Sequence, residues 1–218
     1  MNIHDLTDTE KIEYLIHFEN EIAQIYETAA IKGPIHLRGG NEKILIKIFK
    51  QINTDDTVFA TWANHLEALL HCIPREKVKK RILDGHSMAM NFPEYNFYTS
   101  SIVNGISPIG VGVAWAIKKQ NKDQKIFIFI GDMTFQSGAT IESIRYSINF
   151  DLPCNWIIAD NNLSVNTQTD IAWGGNIQRL YKFFEKEISY NHCKNVTIKY
   201  YRYKNTWPHA GTGTFVSF

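Results

Sequence analysis

Three cysteines in 218 residues, Cys72, Cys154 and Cys193, are odd in number, far apart and without a CxxC pair. That excludes a disulfide framework and a zinc knuckle, and the expected compartment is a reducing cytoplasm. No stretch approaches the about 18 consecutive apolar residues of a membrane span, and the opening MNIHDLTDTEKIEYL carries acids where an export signal would be apolar. Neither export nor membrane anchoring is expected. Net charge is also missing: the balance of +1 gives no long-range field for nucleic acid or an anionic membrane, so an anionic ligand must be held by local groups. The basic run Lys77, Lys79, Lys80, Arg81 reads as a solvated helix face. No GxGxxG follows the first strand, which removes a simple nicotinamide-binding module. No DxD nucleophile motif follows a strand either, since Asp55-Asp56 precedes one, and this argues against a magnesium-dependent phosphatase.

What remains is an ordinary globular composition, 44% apolar and 21% charged, long enough for one large domain over residues 1–218. Helical spacing runs from Leu6 to Ala30 and from Glu42 to Gln51, with shorter helices over Asn64 to Cys72 and Pro74 to Leu83, the latter opened by a proline. Thr57 to Thr61 reads as a strand, and Asp84 to Gly105 as a long ordered loop facing a ligand. The helix Pro108 to Gln120 carries Gly110, Gly112, Ala114 and Ala116, small residues that predict close packing on another helix or chain. Lys125 to Ile130 and Asn155 to Ala159 are continuous apolar runs of strand length, as in strands covered on both faces. Helices over Gly138 to Phe150 and Gly175 to Ile188 and a strand over Val196 to Tyr203 complete an α/β pattern, a parallel sheet with helices on both faces.

Both apolar runs stop at polar residues, Gly131-Asp132 and Asp160-Asn161-Asn162. In open parallel sheets ligands bind beyond the carboxyl ends of the strands, so Asp132 and Asn161 are expected on the same edge, one or two strand spacings apart. A carboxylate, an amide oxygen and a backbone carbonyl such as that of Leu163 are hard ligands of the kind magnesium takes beside substrate phosphates. The pattern predicts a magnesium-bridged diphosphate, with room for backbone donors around Gly131, Thr134, Ser137 and Gly138.

GDM at Gly131 to Met133 followed by DNNLS at Asp160 to Ser164 resembles the thiamine-diphosphate fingerprint. With HLRGGNE (His36 to Glu42), TWANH (Thr61 to His65), the stretch His86 to Ala114 and YRYKNTWPH (Tyr201 to His209), the chain resembles the alpha subunits of 2-oxo acid and acetoin dehydrogenases. The resemblance implies a thiamine-diphosphate-binding fold of the diphosphate-binding type. It implies magnesium on Asp132, Asn161 and the Leu163 carbonyl, Ile102 and Val103 against the aminopyrimidine, and Gly131, Met133 and Thr134 near the diphosphate. His36, His65 and His209 become candidate catalytic groups, and Glu142 a candidate link between paired sites. A beta-type subunit supplying the activating glutamate, a two-plus-two heterotetramer, and a small carbonyl or 2-oxo acid substrate are implied as well. The implied reaction cleaves or forms a C–C bond next to a carbonyl, either as in 2-oxo acid decarboxylation and dehydrogenation or, as the shortened chain resembles, in a transketolase-like way.

Three features depart from that pattern. Ala63 stands where an arginine usually grips the diphosphate, leaving Arg38, Lys43 or a partner residue to replace it. Met133 replaces a glycine, and KNTWPHAGTGTF replaces a serine-bearing regulatory loop. A degenerate, non-catalytic homologue acting as a scaffold or regulatory subunit is the competing expectation.

Overall fold

The computed structural model describes residues 3–217. In chain order its elements begin with α1 (Asp8–Glu27), α2 (Glu42–Phe49), β1 (Thr57–Ala60), α3 (His65–Leu70), α4 (Arg75–Leu83), β2 (Phe97–Thr99) and α5 (Ile106–Lys119). They continue with β3 (Ile126–Gly131), α6 (Asp132–Gln136), α7 (Gly138–Asn149), β4 (Cys154–Asp160), β5 (Leu163–Ser164), β6 (Thr167–Gln168), α8 (Thr169–Trp173), α9 (Ile177–Tyr190) and β7 (Thr197–Arg202). Residues up to Asp55, from Trp62 to Ser101 and from Lys204 onward form one compact unit; Asp56–Thr61 and Ile102–Tyr203 form the other.

The first unit is mainly helical. Helix α1 begins at a capping box: the Glu10 amide donates to the Thr7 hydroxyl at 3.3 Å and the Thr7 amide to the Glu10 carboxylate at 2.8 Å. Its inward stripe, Leu15, Phe18, Ile22 and Tyr26, is buried, and α1 packs on α2 and α3. Within the stretch expected to be a loop, 84–105, the structure has a 3₁₀ turn at Pro93–Tyr95 and the short strand β2. No helix of the described residues is long and apolar enough to cross a membrane.

The second unit is an α/β layer structure. Strands β1, β3, β4 and β7 pair in that order and are all parallel, with Gly131 of β3 beside Ala159 of β4. Every residue of β1 and β4, and all of β3 but Gly131, is buried. Side chains alternate across a strand, so unbroken burial means helices cover both faces, and the expected α/β parallel sheet is what forms. Trp156, at the middle of β4, is fully buried and donates its indole N–H to the Ser147 hydroxyl of α7 at 3.2 Å. Strand β7 lies at the edge and is partly exposed.

Helix α5 packs on helix α7, as its small residues predict, with the Ser107 and Thr140 hydroxyls 2.9 Å apart across the contact, and it also lies close on the sheet. Gly110 faces the sheet: a Cβ there would lie 2.7 Å from Ile128 Cδ1 and 3.5 Å from Phe59, whereas Gly112 has open space beside it. One close approach, helix to sheet, needs glycine. Gly110→Val is expected to lower stability by about 1–3 kcal/mol through overpacking, while Gly112→Ala leaves the urea midpoint unchanged or slightly raised; denaturation of the two variants checks the contrast.

Candidate functional site

At the carboxyl ends of β3 and β4 the chain leaves adjacent strands within one residue of register, so Asp132 and the Asn161 turn emerge side by side. Asp132 is the first residue of α6, and its side chain is only 3% exposed. Its carboxylate accepts from the Thr169 hydroxyl at the start of α8. Burial first, and then the neighbouring Asp160, push its pKa up to about 6 against the pull of Thr169. Asp160, also buried, accepts from the Asn162 amide at 2.7 Å and from the Tyr200 hydroxyl, with the Arg202 guanidinium 3.7 Å away. The same contact with Asp160, after burial, pushes Tyr200 up to about 12.

The chain turns sharply here: Asn162 has a φ of 63°, and the Asn161 side-chain oxygen accepts from the Leu163 amide at 3.0 Å. Leu163 then opens the two-stranded ribbon β5–β6. Thr134 is buried, Met133 half-buried, and a Cβ at Gly138, the exposed start of α7, would meet nothing within 4 Å. The turn bearing Ile102 and Val103 is tied to the same region, since the Ser137 hydroxyl donates to the Asn104 amide oxygen at 3.1 Å. Ile102 is 71% exposed, an unusual setting for an isoleucine.

The donor set fits a hard divalent cation. One ionisable carboxylate, on Asp132, lies at the end of the strand beside the turn that carries an amide oxygen and a backbone carbonyl, and a second carboxylate, Asp160, makes negative charge there costly, so a cation of charge two would offset what burial opposes. Among the described residues no three His, Cys, Asp or Glu side chains gather around a possible metal position; the candidate set is of the mixed oxygen kind.

The histidines lie in the first unit. His36 and His209 are neighbours, with ring centroids 4.9 Å apart, and both contact Trp62: His36 stacks on the indole at 5.3 Å and His209 meets it edge-on at 5.6 Å. The His36 Nδ1 donates to the His209 carbonyl at 2.5 Å. Burial draws the His36 pKa down to about 4 and lowers that of His209 too. His65 is separate in character. It is 1% exposed, its Nδ1 donates to the Glu19 carboxylate at 3.0 Å, and its Nε2 lies 2.8 Å from the Ser87 hydroxyl. Both ring nitrogens are occupied, so His65 can orient α1, α3 and the Ser87 loop but cannot reach a ligand without giving up a partner.

Arg38, a possible replacement for the arginine absent at position 63, is buried and paired with the fully buried Glu67. Lys43 is exposed on α2, and Glu142 is exposed on α7. Sequence reasoning gave no role to Thr169, Asp160, Tyr200 or Trp62. Thr169 stands 37 residues beyond Asp132, and only the ribbon β5–β6 folding back brings its hydroxyl there.

These features define an α/β protein with a polar notch at the carboxyl edge of a parallel sheet. Residues 10–177 match the family described as dehydrogenase E1 component, and with most of the chain covered, it belongs to that family. The chain is 26% identical over 178 residues to the pyruvate dehydrogenase E1 component subunit alpha of Rickettsia bellii, covering 77% of this chain and 54% of the relative. It is 26% identical over 157 residues to the mitochondrial counterpart of Sminthopsis macroura, covering 68% and 43%. The chloroplastic subunit alpha-3 of Arabidopsis thaliana is 27% identical over 161 residues, covering 66% and 37%. The chain spans about half the length of the curated relatives it matches.

Proposed function

We propose that this chain is the alpha-type subunit of a thiamine-diphosphate- and magnesium-dependent enzyme that cleaves or forms a C–C bond next to a carbonyl. Residues 1–218 would act as one cofactor-binding domain, in a reducing cytoplasm, with a beta-type subunit in a two-plus-two heterotetramer. The observation that carries the proposal is the side-by-side emergence of Asp132 and the Asn161 turn from β3 and β4, with the Asp132 carboxylate buried beside Asp160.

In this reading the Asp132 carboxylate, the Asn161 side-chain oxygen and the Leu163 carbonyl hold magnesium. Gly131, Met133 and Thr134 border the diphosphate, and Ile102 and Val103 lie against the aminopyrimidine, which gives the exposed isoleucine its apolar cover. Bound thiamine diphosphate supplies the stabilised carbanion; the chain supplies the grip, the orientation and a dry wall. His36 and His209, neighbours in the first unit, are the candidate catalytic groups toward a small carbonyl compound or 2-oxo acid, and His65 is held between Glu19 and Ser87.

A second reading is favoured by one observation. The guanidinium of Arg38, one of the expected replacements for the missing arginine, is engaged with Glu67, so that candidate for the diphosphate contact is already occupied. A scaffold or regulatory subunit that keeps the fold and binds cofactor weakly would look the same. Calorimetric titration of thiamine diphosphate and magnesium into the chain assembled with a beta-type subunit separates the two: saturable heat at micromolar cofactor is expected for the enzyme, and no heat at millimolar cofactor overturns it.

A further inference from the structure

After β7 the chain returns to the first unit and runs against the loop Ile35–Gly40. The Gly39 amide donates to the Asn205 side-chain oxygen at 3.0 Å, and the Asn205 side-chain nitrogen donates to the Leu37 carbonyl at 3.4 Å. The Thr206 amide donates to the Gly39 carbonyl at 3.4 Å, and the Gly211 amide to the Ile35 carbonyl at 2.9 Å. Contacts descend along the loop as they ascend along the tail, so the two segments lie antiparallel. Glycine is required at position 40 for this fit: Gly40 has a φ of +87°, and a Cβ on it would sit 2.4 Å from the Lys204 carbonyl oxygen. Farther on, Gly211 packs against the Tyr26 ring and the Thr214 hydroxyl donates to Glu27 at 3.0 Å.

This strap does something specific to His36. The His209 carbonyl can only accept, so the proton of the bond between them belongs to His36 Nδ1. Stacking on Trp62 and the edge of the His209 ring stop the imidazole from turning over. Burial keeps it neutral, with a pKa near 4. A neutral ring with its proton on Nδ1 presents a lone pair at Nε2, and no group among the described residues hydrogen-bonds that nitrogen. It can accept from a hydroxyl. It offers nothing to a carboxylate.

We propose that the segment Lys204–Thr214 is a positioning strap, anchored by Asn205, that fixes His36 as the Nδ1–H tautomer, so that the ligand group meeting His36 is a hydroxyl donor. The proposal rests on His36 facing the substrate, and it deepens that reading by choosing between a hydroxyl and a carboxylate on the ligand.

The tautomer can be read without cofactor. In long-range ¹H–¹⁵N spectra of the full ¹⁵N-labelled chain at pH 7.5, with His36 assigned by its loss in His36→Gln, the Nδ1–H pattern is expected. Asn205→Ala should average the two tautomers and speed tryptic cleavage after Lys204 by tenfold or more; Gly40→Ala should do the same by another route. A His36 carrying its proton on Nε2, or a tautomer unchanged in both variants while cleavage accelerates, overturns the strap's role. Hydroxyacetone and pyruvate differ chiefly in a hydroxymethyl against a carboxylate. Hydroxyacetone is expected to move the His36 Nε2 resonance at a tenfold lower concentration than pyruvate; equal or reversed potency overturns the hydroxyl assignment. Because none of these readouts needs thiamine diphosphate, a failed cofactor titration leaves them interpretable.

Discussion

Asp132→Asn should make the metal-free chain more stable at pH 8 while abolishing its response to magnesium and thiamine diphosphate. Burial and the neighbouring Asp160 raise the Asp132 carboxyl from 3.8 to about 6. Holding it ionised in the fold therefore costs about 3 kcal/mol relative to an unfolded chain, at ~1.4 kcal/mol for each pK unit. The sign follows from proton counting. Between pH 4 and pH 6 the folded chain binds the proton more tightly than the unfolded one, so this group's penalty is absent at pH 4, grows as pH rises and is complete above pH 6. Asparagine removes the charge and keeps an oxygen to accept from Thr169. A gain of about 1–3 kcal/mol at pH 8, several degrees in melting temperature for a chain of this size, is expected, with almost none at pH 4. Thermal melts at both pH values, with and without magnesium and cofactor, check it. A variant that melts no higher at pH 8 would mean that the carboxylate is already satisfied by protein groups. A variant that melts higher at pH 8 is what the proposed cation site requires, since its carboxylate would be kept at a cost in stability.

His36 tilts the pH profile the other way. Its pKa falls from 6.5 to about 4 on burial, so the unfolded chain binds more protons between those values and this contribution is lost as pH drops through them. The two effects oppose each other below pH 6, and Asp132→Asn leaves the histidine's acid sensitivity exposed. A steeper loss of stability from pH 6 to pH 4 in that variant than in the wild type is the corresponding signature.

How much of this was legible in the sequence depends on the distance over which each interaction reaches. The apolar runs ending at Ile130 and Ala159 identify strands β3 and β4 because full burial demands unbroken apolar residues, and the polar residues that stop them mark the sheet edge. Two consecutive strands joined by a helical crossover fix where Asp132 and Asn161 emerge, so that pairing could be anticipated from spacing alone. Strand β2 is three residues long and α6 five, too short for either period to show. The small residues of α5 announce a close approach but not its partner: whether Gly110 meets a helix or Ile128 of the sheet depends on how the helix is rotated. Nothing local couples Thr169 to Asp132, Glu19 to His65, or the tail to the His36 loop. Their side chains are ordinary surface types in the sequence, and only the folded chain gives them buried partners.

The pair Arg38–Glu67 is the clearest case of a contact with no sequence signal, and it carries the largest expected loss of stability. Arg38 is 7% exposed and Glu67 fully buried, with burial raising the Glu67 carboxyl and Arg38 opposing that rise. Arg38→Met leaves a carboxylate in the interior without its counter-charge, and a loss of about 3–5 kcal/mol is expected. The unpaired glutamate can escape by binding a proton, so the deficit should shrink toward pH 5 and widen toward pH 8. Removing both charges, in Arg38→Met with Glu67→Leu, should recover most of the loss, because two apolar side chains of similar volume need no partner. That double variant also answers a functional question the single one cannot. If it folds like the wild type and binds thiamine diphosphate and magnesium with an unchanged dissociation constant, Arg38 is structural and the cation for the diphosphate comes from elsewhere. A tenfold or greater weakening with the fold intact would instead show that Arg38 turns from Glu67 toward the cofactor, supplying the contact that Ala63 cannot make.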